Sequence, residues 1–201
     1  MPRKSVVFPR FWQAPGHCGG LLREAHPFAR GGMTVYLGDM IRPRVYVESA
    51  IPSSYFERRT TPAELARRDW TREWWVIAGE GYDLVSSVAV LEEVEEGEPE
   101  RAAERVSLIS ALPLLTADQA VMEIVGVYVA HKLMPTAVGG DALHLALASY
   151  HRCDFLVTWN YKHLANANKF GHIRRINTLL GLLVPALVTL IELLEEYHGP
   201  S

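Results

Sequence analysis

Four short stretches of this chain end in polar residues that could do chemistry together. Glu48 closes the apolar run Val45-Tyr46-Val47, and Glu92 and Glu93 lie about one helical turn beyond a second such run at residues 82–86. Asp141 opens an alanine-rich segment that ends at Tyr150, and Thr158-Trp159-Asn160 follows Phe155-Leu156-Val157. Carboxylates brought to one place repel each other, so such a site normally holds a divalent cation that offsets the cost. Oxygen donors favour Mg²⁺ or Mn²⁺, whereas zinc prefers nitrogen and sulfur. A cation of this kind polarises a phosphoryl oxygen and lowers the pKa of a bound water, and the reaction that suits it is phosphodiester hydrolysis. The plainer reading stays open: Glu95, Glu96, Glu98 and Glu100 follow the second pair, and a run of acids is usually a solvated face. Asp141 is also an acid at a helix start, which the macrodipole alone favours.

The elements that must position these groups read as strands alternating with helices. Short runs at residues 44–47, 82–86, 154–158 and 187–190 have strand character. Between them lie helical patterns. Thr61-Pro62-Ala63-Glu64 has the form of a capped helix start and predicts a helix to about Ala78. Ser87 caps a helix through Glu96, residues 100–111 form the next, and Thr116-Ala117-Asp118-Gln119 repeats the capping pattern for a helix to about Lys132. A Gly139-Gly140 break precedes a helix over 141–150, and residues 161–168 and 173–183 form two more. The apolar stretch 179–191 is too short for a membrane span and reads as a helix end followed by a buried strand. Alternation of this kind predicts an α/β fold, a mostly parallel sheet covered on both faces. Ligands then gather beyond the carboxyl ends of the strands, where Glu48 and Asn160 stand, and Asp141 starts the helix that leads into the strand before Asn160.

Composition narrows the setting. The 201 residues carry 20 Lys plus Arg against 23 Asp plus Glu, a net charge of −3, with 49% hydrophobic and 21% charged residues. These proportions exclude a disordered or collagen-like chain, and any nucleic-acid binding must use a local basic patch. Cys18 and Cys153, the two cysteines, form no CxxC pair. A reducing cytoplasm is the expected compartment, and nothing resembles a signal peptide or a zinc motif such as HExxH. Residues 1–40 are rich in Gly, Pro and Arg without helical or strand periodicity, and read as a poorly structured N-terminal extension, with Met33 or Met40 as a natural initiator. An arm that packs on a partner is the alternative. The working domain spans 41–198.

The segments Val45-Tyr46-Val47-Glu48-Ser49, Leu91-Glu92-Glu93-Val94, Gly140-Asp141-Ala142-Leu143-His144-Leu145-Ala146 and Leu156-Val157-Thr158-Trp159-Asn160 occur in an order and spacing that resembles the PIN-domain nucleases, particularly the VapC-like toxins of toxin–antitoxin pairs. The resemblance covers roughly residues 44 to 193, and the segment through Asp141 is its most specific part. It implies a PIN-like three-layer α/β/α fold, a metal-dependent ribonuclease and a carboxylate quartet. Carried over, Glu48, Glu93 and Asp141 hold Mg²⁺ or Mn²⁺, with Glu93 a ligand or the base for the attacking water and Glu92 its alternative one residue away. Asn160 positions water, and Ser49 and Thr158 bind phosphate or water alongside. Two positions depart from the pattern: Glu48 stands where the family usually has Asp, and Asn160 where it often has Asp. Fewer anionic ligands imply a weaker site, with modest activity or a need for Mn²⁺.

His144, three residues after Asp141, falls on the same helical face, where it touches substrate, orients the carboxylate or is simply structural. Lys162, His163, Lys169, His172, Arg174 and Arg175 form a basic cluster beyond Asn160 that would draw an RNA backbone across the site or line a solvated helix. Lys162, Lys169, Arg174 and Arg175 are the expected RNA contacts, and Tyr161 and Phe170 would stack unpaired bases or pack in the core. Trp70, Trp74 and Trp75 at helical spacing read as core or as a protein-binding face, and the resemblance implies docking of an antitoxin or a second subunit there. Expected partners are thus an RNA substrate, an antitoxin protein and a homodimer mate, with no membrane. A catalytically weak PIN-like module that binds RNA or protein is the chief rival. A small-molecule α/β enzyme ranks last, because Glu48-Ser49-Ala50-Ile51-Pro52 has no glycine-rich loop.

Overall fold

A computed structural model describes residues 42–134, 140–162 and 164–198. The chain divides into two units, Met1–Asp39 and Met40–Ser201, and the expectations for residues 1–40 and His163 lie outside the described residues. β1 (Arg44–Val47) leads through α1 (Ala50–Tyr55) and α2 (Pro62–Gly81) to β2 (Asp83–Ser87). The chain continues through α3 (Val88–Glu95) and α4 (Pro99–Ile109) to β3 (Leu114–Leu115), then through α5 (Gln119–Ala130) and α6 (Gly140–Tyr150) to β4 (Phe155–Val157). α7 (Ala167–Leu180), β5 (Ala186–Val188) and α8 (Leu190–His198) complete it.

The strands form a five-stranded sheet in the order β3-β2-β1-β4-β5, and every pair is parallel. Parallel neighbours need crossovers, and these are right-handed. Segments linking β1, β2 and β3 therefore lie on one face and those linking β3, β4 and β5 on the other. The packing divides the same way, α1 against α2 and α4, α2 against α8, and α5 against α6. The result is the three-layer α/β/α arrangement that the sequence predicts, with helices on both faces of the sheet.

β1 is central and its apolar run is wholly enclosed: Val45, Tyr46 and Val47 are fully buried. Such a strand has no solvent face, which is why it reads as a continuous apolar run. Its register is fixed at both ends. At the start, the Arg44 guanidinium meets Asp83 at 2.7 Å while the Arg44 amide donates to Asp154 at 2.7 Å. At the finish, Val47 pairs with Val157, and the Glu48 amide donates to the Val157 carbonyl at 3.3 Å. Because the sheet order reverses direction around β1, the crevice beyond β1 and β4 is a topological switch point, the usual ligand position in open parallel sheets.

Several local details differ from the sequence reading. The Asp118 side chain, not Thr116, caps α5, accepting from the Val121 amide at 3.0 Å. Residues 161–162 and 164–165 turn instead of forming a helix, and a single α7 replaces the two helices read at 161–168 and 173–183. Asn166 starts that helix by accepting from the Asn168 amide. Gly181 ends it at φ 68°, in the left-handed conformation glycine adopts without steric cost, and the Leu182 amide returns to the Asn177 carbonyl. The last strand is Ala186–Val188, and the apolar residues beyond it belong to α8. α1 and β3 are additions to the sequence reading. Trp74 is core, Trp75 is half-buried and Trp70 is exposed. Among the described residues, no helix is long and apolar enough to cross a membrane.

On the other face, a buried polar knot ties α5, α6 and α7 together. Asn177 accepts from the Tyr128 hydroxyl at 2.6 Å and donates to Ser149 Oγ at 2.9 Å and the Leu183 carbonyl at 2.8 Å. Removing a buried amide strands its partners without water. Asn177→Ala is expected to destabilise the fold by about 2–3 kcal/mol. A urea unfolding midpoint equal to that of the wild type would show the knot to be dispensable.

Candidate functional site at the carboxyl edge of the sheet

The sheet register places Glu48 and Thr158 side by side, each the first residue beyond a paired strand end. Thr158 Oγ1 donates to Glu48 Oε2 at 2.7 Å. The Ala50 amide donates to the same oxygen at 3.1 Å, and Ser49 Oγ donates to Oε1 at 2.6 Å. The carboxylate thereby folds back over the first turn of α1, a reach for which Glu has one more methylene than Asp. It is 5% exposed, and its charge is offset by donors from the two residues that follow it, Ser49 and Ala50, and from Thr158 beyond the neighbouring strand.

α3 delivers Glu93. Ser87 ends β2 and caps α3, its hydroxyl accepting from the Val90 amide at 3.1 Å, and Val90 and Val94 anchor the buried side of the helix. Glu93 is half-buried at the site, whereas Glu92 lies exposed. The structure therefore brings Glu93 to the cluster and leaves Glu92 outside it. Gly140, the first residue of α6, sits so close that a Cβ there would lie 3.3 Å from Glu93 Oε1. Any side chain at this position would press on the carboxylate.

α6 contributes Asp141 in its first turn and His144 one turn later. His144 is 1% exposed, and its Nε2 lies 3.2 and 3.3 Å from the two Glu93 oxygens. Its Nδ1 lies 2.8 Å from the Tyr46 hydroxyl, which is 2.7 Å from Ser87 Oγ. Both protonation states satisfy this row. With neutral His144, Ser87 donates to Tyr46 and Tyr46 to Nδ1; with the imidazolium, Nδ1 donates to Tyr46 and Tyr46 to Ser87. Asp141 Oδ1 accepts from Asn160 Nδ2 at 2.9 Å, and the Asn160 amide donates to Thr158 Oγ1 at 2.8 Å. Hydrogen bonds thus join Asp141 to Glu48 through Asn160 and Thr158.

One atom from each of Glu48, Glu93 and His144 lies within 4.8 Å of the others. Among the described residues this is the group that could hold a metal ion, and it differs in one member from the sequence reading of Glu48, Glu93 and Asp141. His144 stands in the compact donor set, with Asp141 attached beside it. Two carboxylates suit Mg²⁺ or Mn²⁺, and an imidazole nitrogen moves the preference towards Mn²⁺. Ser49 and Thr158, read from sequence as phosphate or water ligands, here donate to Glu48. Among the expected basic contacts, Lys162 is exposed on the turn after Asn160, Lys169 Nζ lies 3.8 Å from Met134 Sδ, and Arg174 and Arg175 are exposed on α7.

Tyr46 and Ser87 are members that sequence reading did not assign to the site. Tyr46 had a signal: it lies two residues before Glu48 on a strand, and that spacing returns a side chain to the same face. Ser87 was legible only as a cap. A scan against protein-family models and a search of curated proteins both return no match to this chain.

Charge sets the behaviour of the pair. Burial pushes the Glu93 carboxyl up, but the His144 hydrogen bond and charge, helped by the Ser49 hydroxyl, outweigh it and hold the group below its usual range. Burial pushes His144 down, yet the hydrogen bond to Glu93 and the charges of Glu48, Glu93 and Asp141 hold it above its usual range. Stability from the lowered Glu93 is present above its ordinary value of 4.5 and fades as pH falls through the folded value. Stability from the raised His144 is full below its ordinary 6.5 and fades as pH rises through the folded value. The metal-free protein should therefore be most resistant to urea between these limits and lose stability above pH 6.5, and His144→Gln should flatten that alkaline limb. A wild-type profile already flat from pH 6 to about 9 would contradict a charged, paired His144.

Proposed function

We propose that this chain is a divalent-metal-dependent endoribonuclease that hydrolyses RNA phosphodiester bonds, a PIN-like nuclease acting in the cytoplasm as the toxin of a toxin–antitoxin pair. The observation that carries the reading is the convergence of Glu48, Glu93 and His144, with Asp141 and Asn160 joined to them, at the switch point of a parallel sheet. These residues come from four separate segments. A set of solvated helix-end acids would have no reason to meet around a buried imidazole.

In this reading Glu48 and Glu93 would hold Mg²⁺ or Mn²⁺, with Asp141 and His144 beside them. The cation would supply charge to a phosphoryl oxygen and acidity to a water. The chain's own groups do the rest. Thr158, Ser49 and the Ala50 amide fix the Glu48 carboxylate, so it does not reorganise when substrate arrives. Tyr46 and Glu93 lock the His144 ring from both nitrogens. Asn160 orients Asp141 through its side-chain amide, while its backbone amide donates to the Thr158 hydroxyl.

The second reading, a catalytically weak PIN-like module that binds RNA or protein, is favoured by how completely the acids are already satisfied: Glu48 by three protein donors and Glu93 by an imidazole. The two readings separate in one assay. Purified protein is incubated with a fluorogenic single-stranded RNA in Mg²⁺, Mn²⁺ or chelator, beside Asp141→Asn. The nuclease reading expects cleavage only with the metals, faster in Mn²⁺, and lowered about a hundredfold in the nearly isosteric variant. RNA retention without cleavage in any metal, by a folded protein, would replace it with the second reading. Growth arrest on expression, relieved by the same substitution, tests the toxin role.

A further inference from the structure

The turn that carries Asn160 also carries an aromatic and cationic patch that the carboxylate cluster does not use. Trp159 is buried against α2, its indole N–H donating to Thr71 Oγ1 at 2.9 Å, and the Thr71 hydroxyl donates on to the Arg67 carbonyl at 2.6 Å. On this fixed indole Trp70 stacks, with ring centroids 6.2 Å apart and planes inclined by 26°. The Arg67 guanidinium lies 5.9 Å from the Trp159 ring centroid and 5.7 Å from that of Tyr161. Trp70 remains 39% exposed and Tyr161 53%.

Three features give this patch a chemical preference. Exposed rings whose neighbours are held by packing lose little freedom when a flat partner stacks on them. A guanidinium lodged between rings keeps its charge while its plane is fixed, and among the described residues no carboxylate pairs with Arg67. Lys162, next along the chain, is exposed. Flat aromatic surface combined with unpaired positive charge fits a nucleobase on a phosphate backbone. A protein partner would instead favour continuous apolar surface, which Arg67 interrupts. A duplex keeps its bases stacked inside, so only an unpaired strand can use the patch. Position completes the case: Tyr161 directly follows Asn160, about 3.8 Å from Cα to Cα, and Asn160 is bonded to Asp141.

We infer that Arg67, Trp70 and Tyr161 form a stacking platform for an unpaired base of single-stranded RNA, holding the adjoining phosphate at the carboxylate cluster. The inference rests on the nuclease reading and adds to it the strandedness of the substrate and the residues that select it. Arg67 and Tyr161 act as binding residues, and Trp159 positions them.

The test is fluorescence anisotropy of a labelled, unstructured oligouridylate in chelator, where no cleavage occurs, with a blunt RNA duplex as control. Tyr161→Ala, an exposed position that should fold normally, and Arg67→Gln are each expected to weaken single-strand binding about tenfold to a hundredfold. Tyr161→Phe, which keeps the ring, should restore it. In Mn²⁺ the alanine variant should raise KM for single-stranded RNA with a smaller change in kcat. Wild-type affinity in folded Tyr161→Ala and Arg67→Gln, alongside normal cleavage by the wild type, overturns the platform and leaves the nuclease reading intact. Equal binding of duplex and single strand also overturns it. A wild type that neither binds nor cleaves any RNA overturns both.

Discussion

His144 lies in the interior with both ring nitrogens committed, and it ties together β1, β2 and α3 where they meet α6 at the carboxyl edge of the sheet. Its Nδ1 reaches β1 through Tyr46, and the Tyr46 hydroxyl reaches the end of β2 through Ser87. Its Nε2 reaches α3 through Glu93. A buried polar group without partners costs about 1–3 kcal/mol, more when charged, so each of these contacts must form for the others to be worth forming. One imidazole thus fixes the angle at which α6 enters the sheet edge. Because Asp141 precedes it by less than one turn, that angle also decides where Asp141 stands. Gly140 serves the same approach by leaving room for the Glu93 carboxylate.

The opposite edge of the sheet carries the complementary constraint. Arg44 is held by Asp83 and Asp154 on the two neighbouring strands, and the two contacts set the same register that aligns Val47 with Val157 at the far end. A slip of one residue would turn Tyr46 away from His144 and Glu48 away from Thr158, because alternate side chains face opposite sides. The exposed ion pair itself is worth little. Its value lies in excluding the wrong alignment, while the fully buried Val45 and Val47 supply the stabilisation.

How far the sequence could be read follows from these forces. β1 and β4 were legible because strands buried on both faces are unbroken apolar runs, β2 from its Leu84-Val85 centre, and α2 and α3 because Pro62 and Ser87 mark their starts. Of the cluster, Glu48 and Asn160 were legible from their positions after β1 and β4, whereas Glu93 and Asp141, both on helices, were legible from the order and spacing of the segments. α1 was not, since six residues show no helical period, and two-residue β3 carries no pattern at all. The apolar stretch after residue 179 reads as a helix end and a strand, and it hid α8, because continuous hydrophobicity does not distinguish strand from helix. The division of α7 was misread where Asn166 redirects the backbone. His144 was weighed as a substrate contact, an orienter of the carboxylate or a structural residue, but not as a donor in the compact set; whether a histidine joins a site depends on a tyrosine 98 residues away, and no local pattern records such a pairing.

The two departures from an all-aspartate site act in the same direction. A carboxylate offers about four lone-pair positions, and Glu48 fills three of them with Ser49, Ala50 and Thr158. The open position is on Oε1, so an incoming cation meets a rigid, partly neutralised ligand. Asn160 removes one negative charge and donates to Asp141, which lowers the repulsion around His144 further. The protein can therefore keep its acids assembled without a cation, using an imidazole as the internal counter-charge. That stability has a chemical consequence: a divalent cation at this site would compete with His144 for Glu93, and its binding would be weaker by whatever the pair contributes. A site organised in this way trades metal affinity for readiness of geometry, which favours an ion tolerant of a nitrogen neighbour over one that demands a full shell of oxygen.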